Sequence, residues 1–242
     1  MIVTYCISMS RIDSLEHLTC EELLYLASFA QETERGADLV KYAVALVNRT
    51  DCDLSVQERS FLSTGYKNEI GTLRASWRIL CSIESREEVV SNADNQARAK
   101  QYRQQIESEL SELCTQVVNL VDERLIPHVD NGESRVFYYK MKADCMRYMC
   151  EYTVGTVRQE HSQDALHAYQ TATVIAANEL PPTHPIRLGL ALNFAVFHYE
   201  ILGDSVQGQA LSKQAFDAAL AELDNVPEQD YQEITSIMQL LR

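Results

Sequence analysis

The fold class of this chain is decided by residues 55–91, whose sequence is SVQERSFLSTGYKNEIGTLRASWRILCSIESREEVVS. The stretch opens with Ser55 and has Glu58 three residues later, a capping box in which hydroxyl and carboxylate satisfy the free amides of a helix start. Its apolar residues recur at the spacing of an amphipathic helix, and no proline interrupts them. The sequence therefore predicts one long helix over residues 55–91.

The rest of the chain repeats this pattern with little punctuation. Only 8 glycines and 5 prolines occur in 242 residues. Residues 136–139, VFYY, look strand-like but lie inside a helical run, so we predict a helix there too. Nine helices are predicted, over residues 19–34, 38–49, 55–91, 95–127, 134–153, 162–180, 185–203, 207–223 and 229–242. We expect an all-α layered domain over residues 19–242, preceded by a flexible extension over residues 1–18.

Composition argues against several classes of function. The chain carries 21 Lys and Arg against 35 Asp and Glu, a formal charge of −14, which argues against general binding to nucleic acids or anionic membranes. No run of about 18 apolar residues is present to span a bilayer, and residues 1–9 lack the basic region of a signal peptide. The 7 cysteines form no C-x-x-C pair, so we expect reduced thiols and a cytoplasmic or also nuclear location.

No motif in the sequence indicates catalysis. There is no glycine-rich phosphate loop, no nucleophile elbow and no H-x-x-x-H pair, and the 6 histidines lie far apart. Adjacent carboxylates such as Glu21 and Glu22 do not face each other on a helix. We therefore expect no enzyme, no metal site and no cofactor, although a bound metal or a positive turnover screen would revive an all-α enzyme.

The informative feature is a pair of charged helix faces. Arg74 and Arg78 follow Lys67 by seven and eleven residues, so on a helix that turns about 100° per residue they form one basic stripe. The helix predicted over residues 134–153 carries a second stripe. It comprises Lys140, Asp144, Arg147 and Glu151, with Tyr148 at its edge.

The two stripes together suggest an anion site. If both face one groove, their cations can converge on a single anion, and Tyr148 can donate its hydroxyl. Asp144 and Glu151 would then hold the guanidiniums in place. A phosphate monoester suits such a pocket, because it carries roughly −1.5 to −2 charge at pH 7 and accepts bidentate bonds from arginine. Spacing alone leaves open the plainer interpretation of surface stripes that make ordinary salt bridges.

The helix predicted over residues 185–203 offers a contrasting wall. Its apolar face comprises Leu188, Leu192, Val196 and Tyr199, with Asn193 and Glu200 beside it. Core packing is the more common use of such a face. The amide of Asn193 both donates and accepts, which suits the main chain of an extended peptide. The last helix adds Ile237 and Leu240, three residues apart.

Five stretches of the sequence match a known family in order. They are LSTGYKN at 62–68, SWR at 76–78, VFYYKMK at 136–142, THPIRLGLALNF at 183–194 and IMQLLR at 237–242. On these stretches the chain resembles the 14-3-3 family, over nearly its whole length from about residue 19. Capture of phosphorylated motifs by arginine clusters is an established property of that family.

The resemblance implies nine antiparallel helices that form a cup, and two cups joined through their N-terminal helices into a dimer. It implies that the cup binds segments bearing phosphoserine or phosphothreonine. The family's phosphate-binding positions match Lys67, Arg74, Arg147 and Tyr148. Its positions contacting the peptide backbone and flanks match Lys140, Leu192, Asn193, Val196, Glu200, Ile237 and Leu240.

Three departures from the family pattern bear on affinity. The family commonly has a further arginine where this chain has Leu73, and a groove-wall leucine where it has Ser236. The family's chain continues past the position of Arg242 with Asp-Asn, whose asparagine clamps the peptide backbone, whereas this sequence ends at Arg242. Because Ser236 is smaller and more polar than leucine, we expect the apolar side of the groove to be shallower.

The dimer contacts implied by the resemblance also differ in part. They match Phe29, Thr33, Arg35, Asp38, Ser76, Tyr102, Gln105 and Glu109. One intersubunit salt bridge survives as Arg35–Glu109, and another becomes Asp38–Gln105 and loses its cation. A rim pair contributes about 0–1 kcal/mol, so we expect a dimer held mainly by apolar packing. Ser76 is a candidate phosphorylation switch, because added negative charge would oppose docking, although an ordinary helix serine explains it equally well.

These observations predict an adaptor that binds phosphorylated client proteins and regulates their activity or location in signalling. It would act as a homodimer or as a heterodimer with a paralogue. The alternative is a helical-repeat scaffold that binds unphosphorylated or acidic peptides through the same basic stripes. The two differ in whether affinity survives replacement of phosphoserine by serine or glutamate.

Overall fold

A computed structural model describes residues 15–49 and 53–242 of the chain. These residues form ten α-helices and no strand, so the predicted all-α fold is confirmed for them. The helices are α1 (Cys20–Glu32), α2 (Gly36–Val47), α3 (Val56–Glu84), α4 (Glu87–Val90), α5 (Ala93–Leu120), α6 (Gly132–Tyr152), α7 (Gly155–Glu179), α8 (Pro185–Phe197), α9 (Ser205–Ala221) and α10 (Glu228–Leu241). Two π-helical turns, Val121–Leu125 and His198–Leu202, continue α5 and α8.

The predicted helix starts are made by the expected caps. Ser55 Oγ accepts a hydrogen bond from the backbone amide of Glu58 at 3.3 Å, and the Glu58 carboxylate accepts from the amide of Ser55 at 2.8 Å. Thr19 and Glu22 form the same reciprocal box at the start of α1. Residues 136–139 lie within α6, as the helical interpretation predicted.

Two predicted boundaries are wrong. The helix expected over residues 55–91 ends at Glu84, because the Ser85 hydroxyl donates to the carbonyl of Ser82 at 2.8 Å and the chain restarts as the short α4. The helix expected from residue 162 begins at Gly155, directly after a two-residue turn. There the Arg158 guanidinium donates to the carbonyls of Cys150 at 3.2 Å and Ile201 at 3.0 Å, which fixes the early start.

The chain divides into two compact units, of which the first runs to Leu113. Its core is formed where α1, α2 and α3 pack together, around the fully buried Leu23, Leu39, Leu46 and Leu62. Trp77 Nε1 on α3 donates to the Glu107 carboxylate on α5 at 2.9 Å. Leu15 is buried in a cluster with Leu23. Residues 1–14 of the predicted extension lie outside the described residues.

The second unit runs from Cys114 to Arg242. Its α6 and α7 pack along each other, and α8 lies against both. The aromatic ring of Tyr169 is fully buried and stacks on Phe194, with ring centroids 5.2 Å apart. A second cluster joins α8, α9 and α10. Its buried members are Leu188, Ala219, Ile234, Met238 and Leu241.

Within the described ranges, no helix combines the length and the apolar character that crossing a membrane requires. The cysteines in these ranges are free thiols, at positions 20, 81, 114, 145 and 150.

Candidate functional site

Helix α6 supplies the scaffold of the candidate site in the second unit. It begins at Gly132, directly after the cap residue Asn131, whose side chain accepts a hydrogen bond from the amide of Ser134 at 2.8 Å. The predicted stripe on α6 is largely buried: Asp144 and Arg147 are the two charged residues of this helix that the fold encloses. Buried charges are costly unless they are paired and hydrogen-bonded, so their partners define the site.

Asp144 is the centre of this arrangement. Its carboxylate accepts hydrogen bonds from Lys140 Nζ at 2.9 Å and from the Tyr169 hydroxyl at 2.6 Å. The Asn193 amide donates to both carboxylate oxygens, at 2.8 and 2.9 Å. Arg147 Nη2 lies 3.7 Å away as an ion pair. One carboxylate on α6 therefore fixes side chains from α6, α7 and α8.

The charge states of the cluster follow from these contacts. Burial opposes ionisation of Asp144, but the neighbouring Lys140 and Arg147 outweigh it and hold the pKa of this carboxyl below its ordinary value. Burial, and then the negative Asp144, raise the pKa of Tyr169 well above its usual range. Tyr169 thus keeps the proton that it donates to the Asp144 carboxylate.

Arg147 is the buried cation of the site, with 7% of its side chain exposed. Burial would lower its pKa, but Tyr169, Asp144 and Tyr148 outweigh it and raise the pKa, so the guanidinium stays charged. Its carbon Cζ lies 4.6 Å from the centroid of the Tyr148 ring, a cation–π contact. Its ion pairs to Asp144 and Glu200, at 3.7 and 3.9 Å, are longer than hydrogen bonds.

Five of the sequence-predicted residues therefore meet in the second unit: Lys140, Arg147, Tyr148, Asn193 and Glu200. Asn193 uses its Nδ2 on Asp144, which turns Oδ1 to the opposite side of the amide group. A buried, positively charged guanidinium beside an oriented amide suits an anion attached to a peptide.

The apolar residues predicted for the groove separate into two kinds. Leu192 and Ile237 are partly buried and pack on the α8–α9–α10 cluster. Leu240 is 69% exposed, and Val196 is half-buried. Leu188, on the same apolar face of α8, is 1% exposed and belongs to the core of the cluster, the use of such a face that the sequence favoured.

The remaining predicted phosphate residues lie in the first unit. Lys67 is exposed on α3, and Arg74 is half-buried on the same helix, two turns further on. The helix thus presents the basic stripe that the spacing predicted. Convergence of this stripe with Arg147 on one anion stays a prediction.

The predicted dimer residues also lie in the first unit. Phe29 is 56% exposed and Tyr102 is 58% exposed, which is unusual for large aromatic side chains. Within the single chain the Arg35 guanidinium contacts Asp38, and Gln105 Nε2 donates to Glu109 at 3.0 Å. Thr33 and Ser76 are exposed.

Sequence reasoning missed Tyr169. It lies on α7, 22 residues after Arg147, and is joined to it only by the tertiary fold. No local pattern marks it, because its helix position is equally typical of a core aromatic residue. Among the described residues, no three His, Cys, Asp or Glu side chains are grouped so that they could hold a metal ion.

Comparison with known proteins gives consistent matches. The sequence profile of the family described as 14-3-3 protein matches residues 26–242. The chain is 50% identical to 14-3-3 protein 7 of Solanum lycopersicum over 222 residues, 92% of this chain and 88% of that protein. It is 50% identical to 14-3-3-like protein D of Nicotiana tabacum over 228 residues, 94% and 92% of the two chains. It is also 50% identical to the 14-3-3 protein homolog of Trichoderma harzianum, over 222 residues that make up 92% of this chain and 84% of that protein.

Proposed function

The chain belongs to the 14-3-3 family, and we propose that it binds the phosphate of a client segment through four polar side chains. These residues are Lys67, Arg74, Arg147 and Tyr148. The family identity supports the role itself, that of an adaptor that binds proteins carrying phosphoserine or phosphothreonine. Proteins of this family are adaptors rather than enzymes, and we propose that this chain likewise catalyses no reaction.

The buried, ionised Arg147 is the observation that carries the proposal. A guanidinium with 7% of its side chain exposed needs strong partners, yet its ion pairs to Asp144 and Glu200 are 3.7 and 3.9 Å long. A phosphate oxygen can approach to about 2.7–2.9 Å and form a charge-assisted bond. We assign the remaining positive charge to Lys67, which is exposed on α3, and to Arg74, which is half-buried on the same helix. Both are cations in a chain whose formal charge is −14.

The peptide on either side of the phosphate would lie along α6, α8 and α10. We assign Asn193 to its main chain and Lys140 and Glu200 to its polar flanks. The apolar contacts are assigned to Leu192, Val196, Ile237 and Leu240. Support comes from the fixed amide of Asn193 and from the exposure of Leu240, a large apolar side chain at 69%.

Dimer formation is general in the family. We propose a homodimer, or a heterodimer with a paralogue, that forms through the face carrying Phe29 and Tyr102, and that works in the cytoplasm. The other contacts assigned to this face are Thr33, Arg35, Asp38, Ser76, Gln105 and Glu109. Their support is the exposure of two aromatic rings on helices α1 and α5.

Titration by fluorescence polarisation tests the proposal. The probe is a peptide with the pattern Arg-Ser-x-Ser-x-Pro, in which the second serine is phosphorylated, unmodified or replaced by glutamate. We expect the wild-type protein to bind the phosphorylated form alone. Lys67→Glu should abolish that binding with an unchanged far-UV circular dichroism spectrum, because it replaces a phosphate partner by a repelling charge.

Lys213→Glu is the matched control, since Lys213 is 76% exposed on α9 and pairs with Asp217. The control should bind the phosphopeptide as the wild type does. Equal affinity for the three peptide forms would replace our proposal by the scaffold for unphosphorylated or acidic peptides. Near-unchanged affinity of Lys67→Glu would refute the assignment of the phosphate pocket.

A further inference from the structure

We propose that Tyr169 is a positioning residue of the phosphate site, which acts by fixing the orientation of the Arg147 guanidinium. The proposal rests on the proposed function, because it assigns how one phosphate ligand of that site is held. Tyr169 lies on α7 and is fully buried, so it makes no contact with a client itself. Its effect on affinity would pass through Arg147.

The Tyr169 hydroxyl joins the two buried charges of α6. It accepts a hydrogen bond from Arg147 Nε at 3.2 Å and donates one to Asp144 Oδ1 at 2.6 Å. Both bonds can form at once, because a phenol has one donor and also accepts. A tyrosine at this position therefore satisfies a cation and an anion together, which phenylalanine cannot do.

The Nε bond decides how Arg147 can bind an anion. A guanidinium can meet a phosphate side-on through Nε and one Nη atom, or end-on through both Nη atoms. With Nε held by Tyr169, the end-on mode through the two Nη atoms remains. Within the described part of the chain, the partners of those two atoms are the longer ion pairs, 3.7 Å to Asp144 and 3.9 Å to Glu200, so both atoms keep their capacity to donate.

The other neighbours of Arg147 do not fix this orientation. The centroid of the Tyr148 ring lies 4.6 Å from Cζ, and this cation–π contact binds none of the N–H groups in a fixed direction. The ion pair to Asp144 is too long to be directional. The hydrogen bond from Nε to Tyr169 removes the in-plane rotation.

Tyr169 is itself held rigidly. Its ring stacks on Phe194 with an interplanar angle of 19° and packs on Phe197 with centroids 5.4 Å apart. The packing of α7 against α8 thus sets the position of the hydroxyl. Arginine loses side-chain conformational freedom when it is ordered, and a pre-oriented guanidinium has lost most of that freedom before the client binds.

The test is a double-mutant cycle between Tyr169→Phe and Arg147→Lys, read by phosphopeptide titration. We expect Tyr169→Phe to weaken phosphopeptide binding about 5- to 30-fold, the range for loss of one orienting hydrogen bond. In the Arg147→Lys background the same change should have less than about a two-fold effect, because lysine has no Nε to orient. An equal loss in both backgrounds would mean that Tyr169 acts through general stability, and would overturn the proposal.

Tyr138→Phe is the matched control, since Tyr138 is another fully buried tyrosine, on α6. It should leave phosphopeptide affinity within about two-fold of wild type, since it removes a buried hydroxyl that does not orient Arg147. If wild type binds the phosphopeptide and Tyr169→Phe binds it equally well, only the role of Tyr169 fails. If wild type does not bind, the proposed function fails.

A second measurement covers the case in which Tyr169→Phe does not fold. In the ¹H–¹⁵N spectrum of the wild-type arginine Nε groups, the peak lost in Arg147→Lys identifies Arg147. We expect that Nε–H to exchange slowly with water because Tyr169 holds it in a buried site. Fast exchange of this proton would overturn the proposal.

Discussion

Asp144 illustrates how a single buried carboxylate can organise side chains from three helices. It holds Lys140, Tyr169 and Asn193 by direct hydrogen bonds, and Arg147 by a longer ion pair. Removing one member of such a set leaves the others buried and unsatisfied, which usually costs more than the pair contributes. We therefore expect substitution of Asp144 to destabilise the protein.

We predict that Asp144→Asn lowers the free energy of unfolding by about 3 kcal/mol at pH 7, because it removes the anion that Lys140 contacts and the nearer of the two anions beside Arg147. The pKa of Asp144 is lowered in the folded state. Its contribution is therefore complete above the unfolded-state pKa of about 3.9 and is lost as the pH falls through the folded value. Urea titrations from pH 7 downward should show the difference between variant and wild type shrinking only below about pH 5.

Asp217→Asn provides the comparison for this prediction. Asp217 is 54% exposed and pairs with Lys213 one helical turn away. Its loss should change the free energy of unfolding by less than about 0.5 kcal/mol throughout the pH range. A penalty for Asp144→Asn that stays constant down to pH 3.5 would show that the carboxylate charge is not what stabilises the cluster.

Residue-level prediction from sequence succeeded where one helix carries the pattern. The spacing of Lys67 and Arg74 placed both on one side of α3, and the spacing of Asp144 and Arg147 predicted their ion pair. Tyr169 could not be predicted, because its role depends on how α7 packs on α6. For the same reason the sequence left open whether the apolar face with Leu188 lies in the core or in the groove, since spacing on α8 does not say which side faces α9 and α10.

At the level of elements, the turn after α8 has the clearest backbone requirement. The π-helical turn His198–Leu202, which contains Glu200, ends at Gly203 in the left-handed region, with φ 69° and ψ 14°. A side chain is disfavoured there whatever the space around it. Gly71 has the opposite setting, inside α3 and with no atom within 4 Å of an added Cβ.

The same substitution at these two glycines should have opposite effects. Gly203→Ala should lower the free energy of unfolding by about 1 kcal/mol, because alanine is strained at positive φ. Gly71→Ala should raise it by about 0.5–1 kcal/mol, because alanine loses less backbone entropy in a helix. Chemical denaturation of both variants checks the pair. A change of the same sign in the free energy of unfolding of both variants would contradict the left-handed conformation of Gly203.

The existence of the helices could be predicted from sequence better than their ends. Capping boxes at Thr19 and Ser55 are local signals, and both formed. The start of α7 depends on Arg158, which contacts the carbonyl of Ile201, 43 residues away. The π-helical turns leave no mark in the apolar spacing, so the continuous helix expected over residues 185–203 could not reveal one.

For the whole molecule, the exposed aromatic residues of the first unit are the feature that the single chain leaves unexplained. Phe29 on α1 and Tyr102 on α5 are each more than half exposed. Aromatic side chains are enriched at interfaces, where their burial contributes most. Two linked grooves would let the protein hold two sites on one client and gain affinity through effective concentration.

We predict that Phe29→Glu converts the protein to a monomer, because a carboxylate cannot be buried in an apolar interface without loss of solvation. Sedimentation velocity measures the change. The variant should keep wild-type affinity for a peptide with one phosphoserine, since its groove is untouched. For a peptide with two phosphoserines joined by a long flexible linker, the wild type should bind about 10²-fold tighter than the variant.

Val174→Glu places the same charge on a 62% exposed valine of α7 and should leave both the dimer and the bivalent affinity unchanged. A dimeric Phe29→Glu would refute this face as the interface, and a monomer that keeps the bivalent affinity would refute the linked grooves.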